Sequence, residues 1–259
     1  MNQLEEIAHK LHQAEITKMP IPPIRTAFPN EKNIDAAYEI QKLNTERKLK
    51  NGAKIIGKKI GLTSFAVQEQ LGVDEPDFGI LTDKMLIKNF SKLDNKHLMQ
   101  PKAETEWAFV LKEDLDQDHL DLKTIKKAID YALVAIEIVG SRIENWDIKI
   151  TDTVADNASA SHFVLGTTPI QLQDIDLENC KMQLFKNEIL ASLGQGKACM
   201  GNPLNAMLWL AQTMQKHQQP LKAGEIIITG ALGPMVPIEK GDVLKTCIDD
   251  FEEVGFQVN

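Results

Sequence analysis

Two glutamates spaced two residues apart, inside an otherwise apolar strand, constrain this chain more than any other feature. They sit in Q-P-K-A-E-T-E-W-A-F-V-L-K-E-D-L, Gln100 to Leu115. Read with a period of two, Glu104, Glu106, Ala108 and Val110 fall on one side of a strand. Ala103, Thr105, Trp107, Phe109 and Leu111 fall on the other. Large apolar groups on both sides make this a strand covered on both faces. Side chains at i and i+2 on one face are ~7 Å apart, close enough to share a ligand. Two like charges in such a setting are costly unless a cation neutralises them or one takes a proton. A hard divalent metal held by carboxylate oxygens is the simplest remedy. An edge strand with both glutamates in water is the competing reading.

The chain has 259 residues, enough for one sizeable domain or a small lobe joined to a larger one. A net charge of −8, without a dense lysine or arginine cluster, argues against a nucleic-acid binder. Cys180, Cys199 and Cys247 are odd in number and in no C-x-x-C spacing, as expected for reduced thiols in the cytoplasm. The N-terminus is an acidic amphipathic stretch with no apolar signal region, and the longest apolar run, Y-A-L-V-A-I-E-I-V-G, is too short to span a bilayer. A cytoplasmic protein that binds neither nucleic acid nor membrane is the expectation.

Two regions are visible. Over residues 1–50 the pattern is helical, with Leu4, Ile7, Ala8 and Leu11 in phase, a break at Pro20–Pro23, and Ala36, Ile40, Leu43 and Arg47 in phase after it. From Lys54 the chain turns to short β-branched runs punctuated by glycine and proline. Two helices interrupt them: Leu122–Leu133, and Leu204 to Gln215 with Asn202 as N-cap and Pro203 in the first turn. Strands without regular β-α alternation predict an α+β fold with a mixed sheet.

Other stretches offer chemistry. Glu137 lies among Ala132, Val134, Ile136, Ile138 and Val139, where a lone carboxylate needs a partner. Arg142 is one candidate; joining Glu104 and Glu106 in a three-carboxylate metal set is the other. Such a set suits Mg²⁺ or Mn²⁺, since no histidine or cysteine accompanies it. In I-G-K-K-I-G-L-T-S, either Lys58 or Lys59 must face inward if the strand is covered on both sides. Asp77 in P-D-F-G reads as a turn or a catalytic aspartate. Asp156, Asn157, Ser159 and Ser161 form a small polar loop, and Gly230, Gly233 and Gly241 permit close backbone approach. Gly194, Gly196 and Gly201 miss the dinucleotide spacing, and neither a P-loop nor a G-x-S-x-G elbow is present. Ser161 beside His162 is not a triad.

Taken in order, I-G-K-K-I-G-L-T-S-F-A-V-Q-E-Q-L-G-V-D-E-P-D-F-G-I-L, P-K-A-E-T-E-W-A-F-V-L, I-E-I-V-G-S-R, D-T-V-A-D-N-A-S, G-N-P-L-N-A and I-I-T-G-A-L-G-P-M resemble the 2-keto-4-pentenoate (2-hydroxypenta-2,4-dienoate) hydratases of the fumarylacetoacetase-like superfamily. The 4-oxalocrotonate decarboxylases share most of these motifs, although T-G-A-L-G-P-M is more hydratase-like. The resemblance implies a mixed β-roll core of the fumarylacetoacetase C-terminal type over residues 54–259, behind a helical N-terminal lobe at 1–53. It implies a divalent metal on Glu104, Glu106 and Glu137, with Lys59, Asp77 and Glu106 catalytic and Ser159, Lys59 and Leu232 contacting substrate. Lys59 would stabilise an enolate, and Glu106, with Asp77 as alternative, would relay protons. The substrate implied is a small 2-oxo or 2-hydroxy dienoate, and the implied partners are further copies of the chain and a pathway decarboxylase. Thr105 and Trp107 depart from the small or aliphatic residues usual around the second glutamate, which would tighten the pocket. Decarboxylation, acylpyruvate hydrolysis, a non-catalytic metal-binding subunit and a plain binding module are the rival readings.

Overall fold

The computed structural model describes residues 2–28, 33–65, 68, 69 and 75–259, so the middle of the first family-like stretch, 66–67 and 70–74, lies outside the described residues. Helix α1 (Gln3–Thr17) starts in a capping box, in which Asn2 accepts the Glu5 N–H and Glu5 accepts the Asn2 N–H. Helix α2 is Ile34–Lys50. Its buried face is Ala37, Ile40 and Gln41, rotated slightly from the face expected, with Ala36 and Leu43 packed beside it. The rotation lets the Gln41 amide donate to the carbonyls of Phe78 (2.9 Å) and Val154 (3.0 Å). Both helices share a core with Ile143, Ile150, Val154 and Ala155, so the lobe closes over helix α4, Ile150–Ala155.

The rest is two mixed sheets. One runs β2 (Asp77–Thr82), β1 (Ile55–Gly61), β10 (Ile226–Ile228), β5 (Lys102–Leu111), β6 (Ile129–Val139), β7 (Ala160–Leu165) and β3 (Leu86–Ile87), with β11 (Val236–Pro237) also on β5. The other runs β4 (Ser91–Leu93), β13 (Val254–Val258), β12 (Val243–Ile248), β8 (Lys181–Lys186) and β9 (Ile189–Gln195). The β1–β10, β3–β7 and β4–β13 pairs are parallel and the others antiparallel, as expected of a sheet without regular β-α alternation.

β5 and β6 pair along nearly their whole length and divide the molecule. Trp107, Phe109, Val134, Ile136 and Ile138 face the main core, which also takes in Met182, Leu184, Leu244 and Phe256 of the second sheet. That core is closed by α5 (Pro203–Lys216), whose N-cap is Asn202 and whose Pro203 opens the first turn, as expected. Ala108, Leu133 and Ala135 face the other way, as do the glutamates. One helix is shorter than expected: α3 is Leu122–Ala128, and Ile129 onward is strand. The apolar spacing up to Leu133 fits a helix, but the β-branched run after it gains a full antiparallel ladder with β5. Among the described residues no helix is long and apolar enough to cross a membrane.

Candidate active site

Strand pairing assembles the carboxylates. Glu104 stands directly opposite Glu137 in the β5–β6 ladder and Glu106 lies two residues further on the same face. One oxygen from each lies within 4.8 Å of the others. Glu106 and Glu137 are wholly buried. Glu106 Oε1 and both Glu137 oxygens have no hydrogen-bond partner, although Glu137 forms an ion pair with Lys59 at 3.3 Å. The other Glu106 oxygen accepts the N–H of Gly230. Gly230 has φ +111°, and a side chain there would strike Thr63, so this contact needs glycine.

The titration of these groups follows from crowding. Burial raises Glu104, then the neighbouring Glu137 raises it further, to about 7 despite Lys59. Burial and the charges of Glu137 and Glu104 push Glu106 well above the ordinary range. Burial also raises Glu137, with Lys59 pulling the other way. Three orphaned, mutually repelling oxygen donors without nitrogen or sulfur are the donor set a hard divalent cation requires, and the residues fit one.

Lys58 and Lys59 are both buried, on opposite faces of β1. Lys58 pairs outward with Glu225 at 2.7 Å. Lys59 turns toward the glutamates and donates to Ala158 O at 2.9 Å. Burial alone would lower Lys59, but Glu137, Asp77, Glu104 and Glu106 outweigh it and hold the ammonium charged. An ammonium has three donors, so a third remains to meet a ligand. Asp77 is not in a turn but opens β2, paired with Gly61. Its Oδ2 accepts from Thr153 Oγ1 at 3.3 Å, and burial raises its pKa against the pull of Lys59. A Cβ at Gly61 would meet Asp77 Oδ1 at 2.2 Å and Lys59 Nζ at 3.3 Å, so a glycine here lets the two functional groups converge.

These groups open into a cavity of about 240 Å³ lined by Lys59, Asp77, Glu104, Thr153 and Ser159, with an apolar side of Leu62, Val139, Trp146, Ile148 and Met235. Ser159 Oγ lies 3.3 Å from Thr153 Oγ1. The 156–160 loop that presents Ser159 holds Asn157, Ala158 and Ser159 at φ +56°, +50° and +56°. Arg142, expected as a partner for Glu137, instead pairs with Asp156 and fastens this loop. Asn157 fastens its other side, exchanging two hydrogen bonds with the backbone of Ile80.

Two expectations need correcting. Leu232 points into the main core, and its neighbour Ala231 lines the cavity instead. Thr105 and Trp107 do not tighten the pocket, because they lie on the far face of β5, bonded to Thr246 (2.6 Å) and Cys180 (3.4 Å). Ser161 and His162 line a different cavity, beside Glu15, Lys18 and Lys48. Thr153 and Trp146 were not singled out by the sequence. Thr153 lies inside D-T-V-A-D-N-A-S, six residues before Ser159, and only the loop fold brings the two together.

Residues 55–259 match the model for the fumarylacetoacetate (FAA) hydrolase C-terminal family. The chain is 49% identical over 247 residues to a 2-keto-4-pentenoate hydratase of Paraburkholderia xenovorans (strain LB400), covering 95% of this chain and 91% of that one. It is 39% identical over 256 residues to a 2-hydroxyhexa-2,4-dienoate hydratase of Comamonas testosteroni, covering 98% and 97%. Among solved structures, 4-oxalocrotonate decarboxylase from Pseudomonas putida G7, complexed with magnesium and adipate, superposes with a TM-score of 0.95 at 32% identity, covering 99% and 97%. With its mixed sheets, its helical N-terminal segment and a family match running from β1 to the last residue, this chain belongs to the fumarylacetoacetate hydrolase C-terminal family.

Proposed function

We propose that this chain is a cation-dependent hydro-lyase that adds water to 2-hydroxypenta-2,4-dienoate, or a close homologue, to give 4-hydroxy-2-oxopentanoate. The observation that carries the reading is the cluster of three carboxylates, with buried Glu106 and Glu137 carrying unsatisfied oxygens beside half-buried Glu104, next to a charged Lys59. The reaction is chosen on 49% identity over nearly the whole chain to a protein named for that hydratase activity. Glu104, Glu106 and Glu137 would hold Mg²⁺ or Mn²⁺, which when bound supplies Lewis acidity toward the oxygens of a 2-oxo acid.

The chain's own groups do the rest. Lys59, anchored on Ala158 O and Glu137, aims its remaining donor at the oxygen on which enolate charge collects. The C2 hydroxyl of the dienol gives up its proton as C5 gains one, which yields the 2-oxo-3-enoate; water then adds its hydroxyl at C4 and its other proton ends at C3. We assign the proton transfers to Asp77 rather than Glu106. Asp77 lines the cavity with its pKa raised by burial, so it can hold a proton there, whereas Glu106 lies behind the wall with one oxygen tied to Gly230. Ser159, in reach of Thr153, completes a hydroxyl pair next to Asp77 that can orient water.

Decarboxylation of a vinylogous 2-oxo acid is the second reading, favoured by the backbone match to the decarboxylase. Ultraviolet absorbance of freshly generated 2-hydroxypenta-2,4-dienoate, with Mg²⁺ or Mn²⁺ and then with chelator, separates the two. Cation-dependent loss of the dienol with a product one water heavier is the expected result. Release of carbon dioxide from 4-oxalocrotonate, with the dienoate untouched, would overturn the assignment.

A further inference from the structure

The carboxylates and Lys59 account for the head of a 2-oxo acid but not for what limits its other end. The strand face that carries Glu106, Glu104 and Glu137 continues toward the rim as Lys102 and Val139, which are paired with each other. They stand two residues, ~7 Å, beyond the Glu104–Glu137 pair. Trp146 lies against them, its ring centroid 4.2 Å from Lys102 Nζ.

The indole is held there through Gln100. Its N–H donates to the carbonyl of Gln100 at 2.9 Å. The Gln100 amide donates to Ser141 O (2.9 Å) and Ile143 O (2.7 Å) and accepts the Asn145 N–H (2.8 Å). Gln100, Asn145 and Trp146 all have left-handed backbones, at φ +46°, +56° and +55°. Three non-glycine residues in this region persist only where their surroundings over-determine them, and such strain concentrates at functional sites. Besides the indole, the apolar lining of the cavity includes Leu62, Val139, Ile148 and Met235, with Thr63 and Ser64 the polar groups next to Leu62. Among the described residues that line the cavity the cation besides Lys59 is Lys102, which lies against the ring, where cation–π attraction holds it.

We propose that Trp146 is the specificity-determining wall for the far end of the substrate, with Gln100 as its positioning residue and Lys102 drawn onto the ring, so that the site selects a short, uncharged tail. This rests on the reading that places the 2-oxo-acid head at Glu104, Glu106 and Glu137. A tail ending in a carboxylate would be desolvated against apolar groups unless Lys102 left the indole to meet it.

The test is calorimetric binding, without turnover, of 2-oxopentanoate, 2-oxohexanoate and 2-oxoadipate to the full chain in Mn²⁺. Wild type is expected to bind the five-carbon acid in preference to 2-oxoadipate. Trp146→Ala should shift the preference toward the longer acids by about tenfold, the scale on which pockets discriminate small changes in a side chain. Trp146→Phe should keep most of the wild-type order, and Gln100→Ala should move it in the same direction as Trp146→Ala. The gain for 2-oxoadipate in Trp146→Ala should vanish when Lys102→Met is added, because the freed ammonium supplies it. Equal weakening of all three acids, or unchanged ratios in both Trp146→Ala and Gln100→Ala, overturns the wall and leaves the head intact. Wild type that binds Mn²⁺ but none of the acids overturns the head assignment and the wall with it.

Discussion

Two clusters of buried and half-buried charge meet at the 156–160 loop, and they are built on opposite rules. On the side of the N-terminal helices each acid has its base. Arg25 holds Asp152 at 2.6 Å, Lys48 holds Glu15 at 2.9 Å, and Arg142 holds Asp156. Asp152 also accepts three backbone N–H groups. Burial would raise Glu15, yet Lys48, Arg142 and Lys18 carry it down to about 2. On the other side Asp77, Glu104, Glu106 and Glu137 face Lys59, and four of their oxygens lack any hydrogen bond. A fold seeking stability alone pairs its buried charges. The unpaired set is therefore where the chain gives up stability, and the imbalance marks the site of chemistry.

If that contrast holds, removing one charge should have opposite consequences in the two places. Glu104→Gln or Glu137→Gln should lower kcat/KM by about three orders of magnitude, roughly 4 kcal/mol, through loss of cation binding. The cation-free Glu104→Gln protein should at the same time unfold at a higher urea midpoint than wild type, because a carboxylate repelled by Glu137 has gone while the Lys59–Glu137 pair stays. Arg142→Met should instead lower stability by about 3–5 kcal/mol, since Asp156 is left buried and unpaired. Destabilisation by both kinds of substitution would erase the distinction.

A cation should separate the clusters next. At 100 times Kd, Mn²⁺ should stabilise wild type by about 2.7 kcal/mol, read as a rise in Tm that chelator reverses. The rise should persist in a destabilised Arg142→Met protein and disappear in Glu104→Gln. Gly61→Ala probes the same side without removing a carboxylate. Its new Cβ, 2.2 Å from Asp77 Oδ1, should displace Asp77 and cost about 10- to 100-fold in kcat while Mn²⁺ still binds. Unchanged kcat would remove Asp77 from the proton path.

The unpaired cluster was the more legible of the two in sequence, and the reason is local. Glu104 and Glu106 share a face because strands have a period of two, so their conflict is visible without a partner strand. Placing Glu137 opposite Glu104 needs the register of β5 and β6, which no local pattern carries. That same long-range ladder ended the helix expected to run to Leu133. Arg142 looked like the partner of Glu137 from five residues away, but β6 ends at Val139 and the chain turns Arg142 toward Asp156. Trp146 and Gln100 gave no signal because left-handed backbones at tryptophan and glutamine have no sequence signature.

The smallest effect concerns the paired side and its response to pH. His162 lines the cavity beside Glu15, Lys18 and Lys48, with its Nδ1 2.8 Å from Ser161 Oγ. Burial, then the positive charges of His97, Lys18 and Lys48, lower it from 6.5 to about 4, with Glu15 opposing. A histidine lowered on folding favours the native state fully above pH 6.5, and that contribution drains away as pH falls toward 4, because the unfolded chain takes up the proton first. The full span is at most about 3 kcal/mol. Asp156 slopes the other way. Burial raises it to about 6 despite Arg142, so its contribution is present below about 4 and is lost as pH rises through 6. The two partly cancel in the wild-type curve, and only a difference measurement resolves them. Urea midpoints of wild type and His162→Gln, compared at pH 7 and pH 4.5, should converge at the lower pH. A constant gap between the two proteins would mean that His162 is not held neutral, and that this side of the loop tolerates unpaired charge as the other side does.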